Sequence, residues 1–240
     1  VSDGKRQAWW GCYFEGAGAP PSPAEGLRWL ERAAERGHVE AQNLLATLCL
    51  QGVVSPGTRV EDALFGTVMP PPRDTDWQRA RVWAERAAEA GSPEGQATLA
   101  FILAIGPEEG RDAARAEALY EAAAASGSPP GCLGAALLRH RRAAAEPEHA
   151  TAADYAAIAA LLARAAEAGL AMADALLGEM AERGQGGPVD LAAAARHYAV
   201  AAGRGLRNAQ ARYGWMLMAG RGVERDTVQG ESMLRRAALA

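Results

Sequence analysis

Cysteine, histidine and aromatic residues are scarce in this 240-residue chain, with three cysteines, four histidines and 6% Phe, Trp and Tyr. Cys12, Cys49 and Cys132 lie far apart, and an odd number cannot all pair internally, so they read as buried free thiols rather than a disulfide framework. Free thiols fit a reducing compartment, which favours a cytoplasmic over a periplasmic location. There is no basic run: 25 Lys and Arg intermix with 29 Asp and Glu to a net charge of -4. That excludes the electrostatic footprint of a nucleic-acid binder. No apolar stretch reaches the roughly 18 residues of a membrane-spanning helix, so direct membrane insertion is not expected. Asp3, Lys5 and Arg6 depart from a secretory signal. The chain opens on Val1 rather than Met and stops at Ala240 inside an unfinished repeat, which reads as a piece of a longer protein.

Signals of chemistry are equally thin. His38, His140, His149 and His197 never take the i, i+4 spacing that places two metal ligands on one helix face. There is no Gly-x-Ser-x-Gly elbow, and the cysteines lack a local histidine. The glycine-rich GRGVERD of residues 220–226 follows a helical pattern instead of a strand and lacks the lysine of a phosphate-binding loop. No catalytic residue, metal or cofactor is therefore assigned, and the expectation is a protein that is not an enzyme.

What the chain does have is repetition. Ala-Ala-x-x-Gly recurs at Gly37, Gly91, Gly127, Gly169 and Gly205, with spacings of 54, 36, 42 and 36 residues, and a sixth copy breaks off at Ala240. The unit is 36 residues, with 18 inserted once and 6 inserted once. Fifteen residues after these glycines stand Gly52, Gly106, Arg142, Gly184 and Gly220, and Gly16 holds the same place in the first copy. Asp76, Asp112, Asp154, Asp190 and Asp226 follow in the position of a helix cap. Each copy thus reads as helix, glycine turn, capped helix, glycine stop, with alanines where helices must approach closely. GRGVERD is one instance of the turn.

The segment AQARYGWMLMAGRGVERD and the RRAALA that ends the next helix resemble the Sel-one-like repeat (SLR), a relative of the tetratricopeptide repeat. The resemblance covers nearly the whole chain, best in the last two copies and weakest in the fourth, where Arg142 replaces the turn glycine. It implies an all-α fold, an α/α superhelical solenoid of about six helix-turn-helix repeats acting as a bacterial scaffold or adaptor in signalling, envelope or secretion systems. The expected organisation is a single repeat domain over 1–240, with copies at about 1–37, 38–91 (carrying an insertion at 53–75), 92–127, 128–169, 170–205 and 206–240.

In tetratricopeptide-like folds the first helix of each copy lines the concave face, and offsets 3, 6, 10 and 13 from each glycine form one stripe of that helix. The stripe varies where the alanines and glycines do not. Thr47, Phe101, Leu137, His140, Glu179, Trp215 and Met218 on it are the candidate contacts for a protein or peptide partner. Aromatic and Met side chains would supply burial there, and Glu179 and Glu182 would select basic residues. Trp29 and Trp83, eight residues before their glycines, read as core. In the insertion, Met69, Pro70, Pro71, Pro72 and Arg73 favour extended backbone, which serves as a lid, a ligand for another protein, or a surface loop. Trp9, Trp10, Tyr13 and Phe14 crowd the first helix, sealing the array, docking a further repeat or supporting self-association. The alternative function is a repeat region that recognises or regulates an envelope polysaccharide or a cell-wall enzyme.

Overall fold

The structure is a computed structural model that describes residues 23–52, 75–146 and 148–239. Cys12, Gly16, the aromatic group Trp9 to Phe14 and the insertion residues Met69 to Arg73 lie outside the described residues. The chain divides into two compact units, residues 1–128 and 129–240. Unit 1 contains α1 (Pro23–Glu35), α2 (Val39–Leu50), α3 (Trp77–Glu89), α4 (Pro93–Ile105) and α5 (Ala113–Ala125). Unit 2 contains α6 (Pro129–Ala145), α7 (Ala152–Glu167), α8 (Ala171–Arg183), α9 (Leu191–Gly203), α10 (Arg207–Ala219) and α11 (Thr227–Leu239). Among the described residues there is no strand, and no helix is long and apolar enough to cross a membrane. Within each unit, helices consecutive in sequence pack against each other, the arrangement of an α/α solenoid.

The second helix of each copy ends in the same way. Gly37, Gly91, Gly127, Gly169 and Gly205 have φ between +82° and +93°, the left-handed region that only glycine enters cheaply. The following residue then donates its N–H back to the first alanine of the Ala-Ala-x-x-Gly pattern: His38 to Ala33, Ser92 to Ala87, Ser128 to Ala123, Leu170 to Ala165 and Leu206 to Ala201, at 3.0–3.1 Å. This is the closure of a Schellman motif. It satisfies an end carbonyl and starts the next helix at a set angle.

The turn inside each copy repeats as well. The N–H groups of Asp76, Asp112, Asp190 and Asp226 donate to Cys49, Leu103, Ala181 and Leu217 at 2.9–3.2 Å, each acceptor twelve residues past its repeat glycine. Their carboxylates accept from the N–H groups of Arg79, Arg115, Ala193 and Gln229, so each aspartate also caps the helix that follows. Because this joint closes identically at Asp76, the insertion before it leaves the repeat geometry unchanged.

Three expectations need correction. Gly106 does not take positive φ: at φ -63° and ψ -169° it is extended, because the residue before a proline, here Pro107, is driven out of the helical regions. In the fourth copy, where Arg142 replaces the turn glycine, the Ala-rich insertion prolongs α6 to Ala145 as its composition suggests, but Asp154 is not the cap of the next helix. Thr151 then takes the cap, with Asp154 three residues in accepting from its N–H at 2.8 Å and its hydroxyl at 2.6 Å, a capping box. These bonds hold the Asp154 carboxyl below its usual range. Finally, Trp83 is buried but Trp29 is 44% exposed, with the Arg32 guanidinium 5.2 Å above its ring.

Small side chains dominate the interior, and larger ones are spaced along it: Leu30, Leu45, Leu99 and Leu103 in unit 1, Ile158, Leu162 and Leu217 in unit 2. The two described cysteines, Cys49 and Cys132, are buried and form no disulfide among the described residues. Five residues past the repeat glycine, the buried Gln42 and Gln210 each donate an amide N–H to the carbonyl of Ala34 or Ala202, capping the end of the preceding helix. In the fifth copy this position is Asp174, which has no proton to donate. Arg204, at the end of the second helix of the same copy, supplies the missing donor, bonding the Ala166 carbonyl at 3.4 Å as well as the Asp174 carboxylate. His197 lies 3.4 Å from the other carboxylate oxygen. A carboxylate has replaced an amide, and a second charge accompanies it.

Burial pushes the Cys49 thiol up to about 11. In the unfolded chain a thiol ionises near 8.5. This group therefore leaves stability unchanged below that value and lowers it as pH rises toward the folded value, where the unfolded state is the more ionised. At pH 8 iodoacetamide should leave Cys49 unmodified in the native chain and alkylate it in urea, as read by peptide mass spectrometry. Gly205→Ala introduces only the left-handed penalty, about 1 kcal/mol, since nothing lies within 4 Å of a new Cβ. A Cβ on Gly222, whose φ is +70°, would lie 2.1 Å from the Leu191 carbonyl oxygen, so Gly222→Ala should cost clearly more in urea unfolding. Arg204→Ala leaves a buried carboxylate and an end carbonyl without their donor, a loss of about 2 kcal/mol after allowing for partial exposure. Adding Asp174→Gln should recover part of that loss by restoring the amide cap; a double variant no more stable than Arg204→Ala would contradict the exchange.

Candidate functional site

In unit 2 the first helices of adjacent copies, α8 and α10, flank a groove of about 730 Å³. Its floor is low because the stripe residues there are Ala175 and Ala211, with Leu176, Ala209 and Met216 alongside. Its walls are high because Met172 and Trp215 stand beside them, 42% and 68% exposed. In unit 1, α2 and α4 are bridged directly by the Thr98 hydroxyl, 3.1 Å from the Asn43 side-chain oxygen. In unit 2 the place of Thr98 is taken by Arg212, which reaches Glu182 across the groove at 3.8 Å, while Ala175 and Ala211 contribute no polar group.

Tyr198 of α9 closes the back of the groove. Its ring lies against Gly178, where a Cβ would come within 3.0 Å of two ring carbons, so only glycine on α8 admits it. The phenol donates to the Glu182 carboxylate at 3.1 Å, and burial together with that carboxylate raises Tyr198 well above the ordinary tyrosine range. Arg212 of α10 reaches the other oxygen of Glu182 at 3.8 Å, and Arg183 holds Glu179 at 2.8 Å.

The candidate contacts are distributed unevenly. Glu179 and Trp215 line the groove together, joined by five more residues of the same stripe, Met172, Ala175, Glu182, Asn208 and Ala211. Met218 does not line it: its side chain turns toward Gly230 on α11, where the missing Cβ leaves room. Leu137 and His140 sit on α6. Leu137 is exposed, while the His140 Nε2 lies 2.9 Å from the side-chain oxygen of Gln185. In unit 1, Phe101 is 39% exposed and stacks on Trp77 with ring centroids 6.3 Å apart, beside the exposed Ile105. The Thr47 hydroxyl is spent within its own helix, donating to the Asn43 backbone carbonyl at 3.0 Å.

The expectation that Glu179 and Glu182 would draw basic residues is not supported by their surroundings, because each carboxylate already has a guanidinium partner. The stripe reading also missed Tyr198, Arg212 and Arg221. Tyr198 belongs to a second helix, where no stripe was sought. Arg212 was within reach of the pattern, one helical turn past Asn208 on the same face.

The sequence model of the Sel1 repeat matches residues 7–38, 64–92, 93–128, 171–206 and 207–240, passing over the fourth copy. Sel1-repeat-containing protein YjcO of Escherichia coli K12 is 36% identical over 75 residues, 31% of this chain and 24% of that relative. A Sel1 repeat protein from Oxalobacter formigenes has a solved structure that superposes with a TM-score of 0.66 at 28% identity, over 98% of this chain and 61% of that one. A protective antigen of uropathogenic E. coli strains that displays an SLR fold gives a TM-score of 0.73 at 23% identity, over 97% of this chain and 45% of that one. This chain spans less than two thirds of each of these three relatives. With matched repeats over more than half of its length, built as helix pairs closed by left-handed glycines, the chain belongs to the Sel1 repeat family.

Proposed function

We propose that the chain is a non-enzymatic scaffold or adaptor that binds a protein or peptide through the groove between α8 and α10, in a bacterial signalling, envelope or secretion setting. Sel1 repeat proteins are generally protein-interaction scaffolds. The observation that carries the reading to this chain is Trp215, a large aromatic left 68% exposed beside an alanine floor. A tryptophan so placed gains nothing from the fold it stands on, whereas burying it against a partner removes much apolar surface from water. Met172 on the opposite wall adds a side chain that adapts to different shapes. The acids of the groove are held by guanidiniums and a phenol, an arrangement suited to contact surfaces rather than proton transfer. Phe101, with Ile105 and Trp77, offers a second apolar patch in unit 1, and Leu137 another exposed apolar contact in unit 2.

The test is affinity capture from the source organism's lysate on immobilised wild type, Trp215→Ala and Phe101→Ala. Trp215→Ala removes mostly exposed atoms, so its unfolding free energy should stay within about 0.5 kcal/mol of wild type, whereas Phe101→Ala also gives up the stack on Trp77 and should cost about 1 kcal/mol or more. A protein retained by wild type and lost by Trp215→Ala, then shown to bind directly as a purified pair, is the expected result. Equal retention by wild type and Trp215→Ala would remove the groove from the function.

A further inference from the structure

We infer that the groove of unit 2 selects a segment that is apolar and acidic, the opposite charge preference from that suggested by its glutamates. The inference rests on the groove being the binding site and follows from which polar groups there are still free.

Both carboxylates already have partners. Glu179 is bonded by Arg183 at 2.8 Å, and Glu182 receives the Tyr198 phenol at 3.1 Å and faces Arg212 at 3.8 Å. A basic side chain entering the groove would meet carboxylates whose charge is already balanced by a neighbouring guanidinium, so it gains little from them. The donors are in the opposite condition. Among the described residues, the side chains of Asn208 and Arg221 make no hydrogen bond or ion pair, although both line the groove. Arg212 is 59% exposed and makes only the long contact to Glu182, so most of its five N–H groups are unused. Counting Arg183 as the partner of Glu179, three guanidiniums surround two carboxylates. An incoming carboxylate therefore meets open donors and a local excess of positive charge, and a guanidinium can grip it through two parallel N–H bonds.

Geometry adds the apolar requirement. The alanine floor between Met172 and Trp215 accepts a side chain with no polar group, and Asn208 and Arg212 stand one helical turn apart on the same face of α10 as part of its lining. The occupant is a segment of a partner protein in which an apolar side chain enters between Met172 and Trp215 and a nearby Asp, Glu or chain-terminal carboxylate meets Arg212 or Arg221.

The experiment is selection of random peptides of roughly twelve residues displayed on phage against the chain, with counter-selection on Trp215→Ala. Recovered peptides are then measured by fluorescence anisotropy against wild type and Arg212→Gln/Arg221→Gln, each variant first checked for an unchanged unfolding midpoint. The expected peptides bind wild type but not Trp215→Ala and are enriched in apolar and acidic residues relative to the starting pool. They should lose about tenfold in affinity on Arg212→Gln/Arg221→Gln, the combined effect of two partly exposed ion pairs, and weaken as salt is raised. Peptides that discriminate Trp215→Ala but are basic or uncharged, or that ignore the arginine substitutions, would overturn the charge preference and leave the groove reading standing. A selection yielding no peptide that distinguishes wild type from Trp215→Ala would overturn both.

Discussion

The recurrent interaction on which the rest depends is the hydrogen bond across each left-handed glycine, from the residue after Gly37, Gly91, Gly127, Gly169 or Gly205 to the alanine five positions before that residue. It forms only when the glycine takes positive φ, and it sets the angle at which one copy hands the chain to the next. Given that angle, the first helices of successive copies within a unit present the same face, and offsets counted from the glycine become addresses on a surface. The alanine that accepts the bond belongs to the pair whose small side chains let the next helix come close; a Cβ on Gly95 would lie 2.6 Å from that of Ala87. Main-chain closure and side-chain size are thus one constraint expressed twice.

On this frame individual copies diverge without loss of the frame. The position that holds Gln42 and Gln210 holds Asp174 in the fifth copy, and the carbonyl otherwise served by an amide is served by Arg204. The change places a buried carboxylate, a guanidinium and the His197 ring at the base of α8, one of the two helices that flank the groove. A structural role met by one neutral side chain in two copies is met here by three polar ones.

The groove is floored by Ala175 and Ala211, whose short side chains leave space between α8 and α10, and Gly178 admits the Tyr198 ring behind it. Its electrostatic character cannot be obtained by counting the charged residues of one stripe. Glu179 and Glu182 look like a negative surface in the sequence, but Arg183, Arg212 and the Tyr198 phenol arrive from other turns and other helices and offset their charge. What is left for a partner is donor capacity on Asn208, Arg212 and Arg221.

The repeat, its length, the positions of its stops and four of its five aspartate caps were legible in the amino-acid order, because each is decided by hydrogen bonds spanning a few residues and by the φ that glycine alone tolerates. The extended Gly106 before Pro107 and the prolonged α6 at Arg142 were legible by the same local rules, applied to the residue before a proline and to a helix that lacks its glycine stop. Seven of the groove's lining residues lie on the stripe that helical periodicity defines. That these residues enclose a groove, that Met218 turns to α11 instead, and that the two acids are already paired emerges from the packing of the helices. Those outcomes depend on distances between side chains from different helices, which periodicity along one helix does not contain.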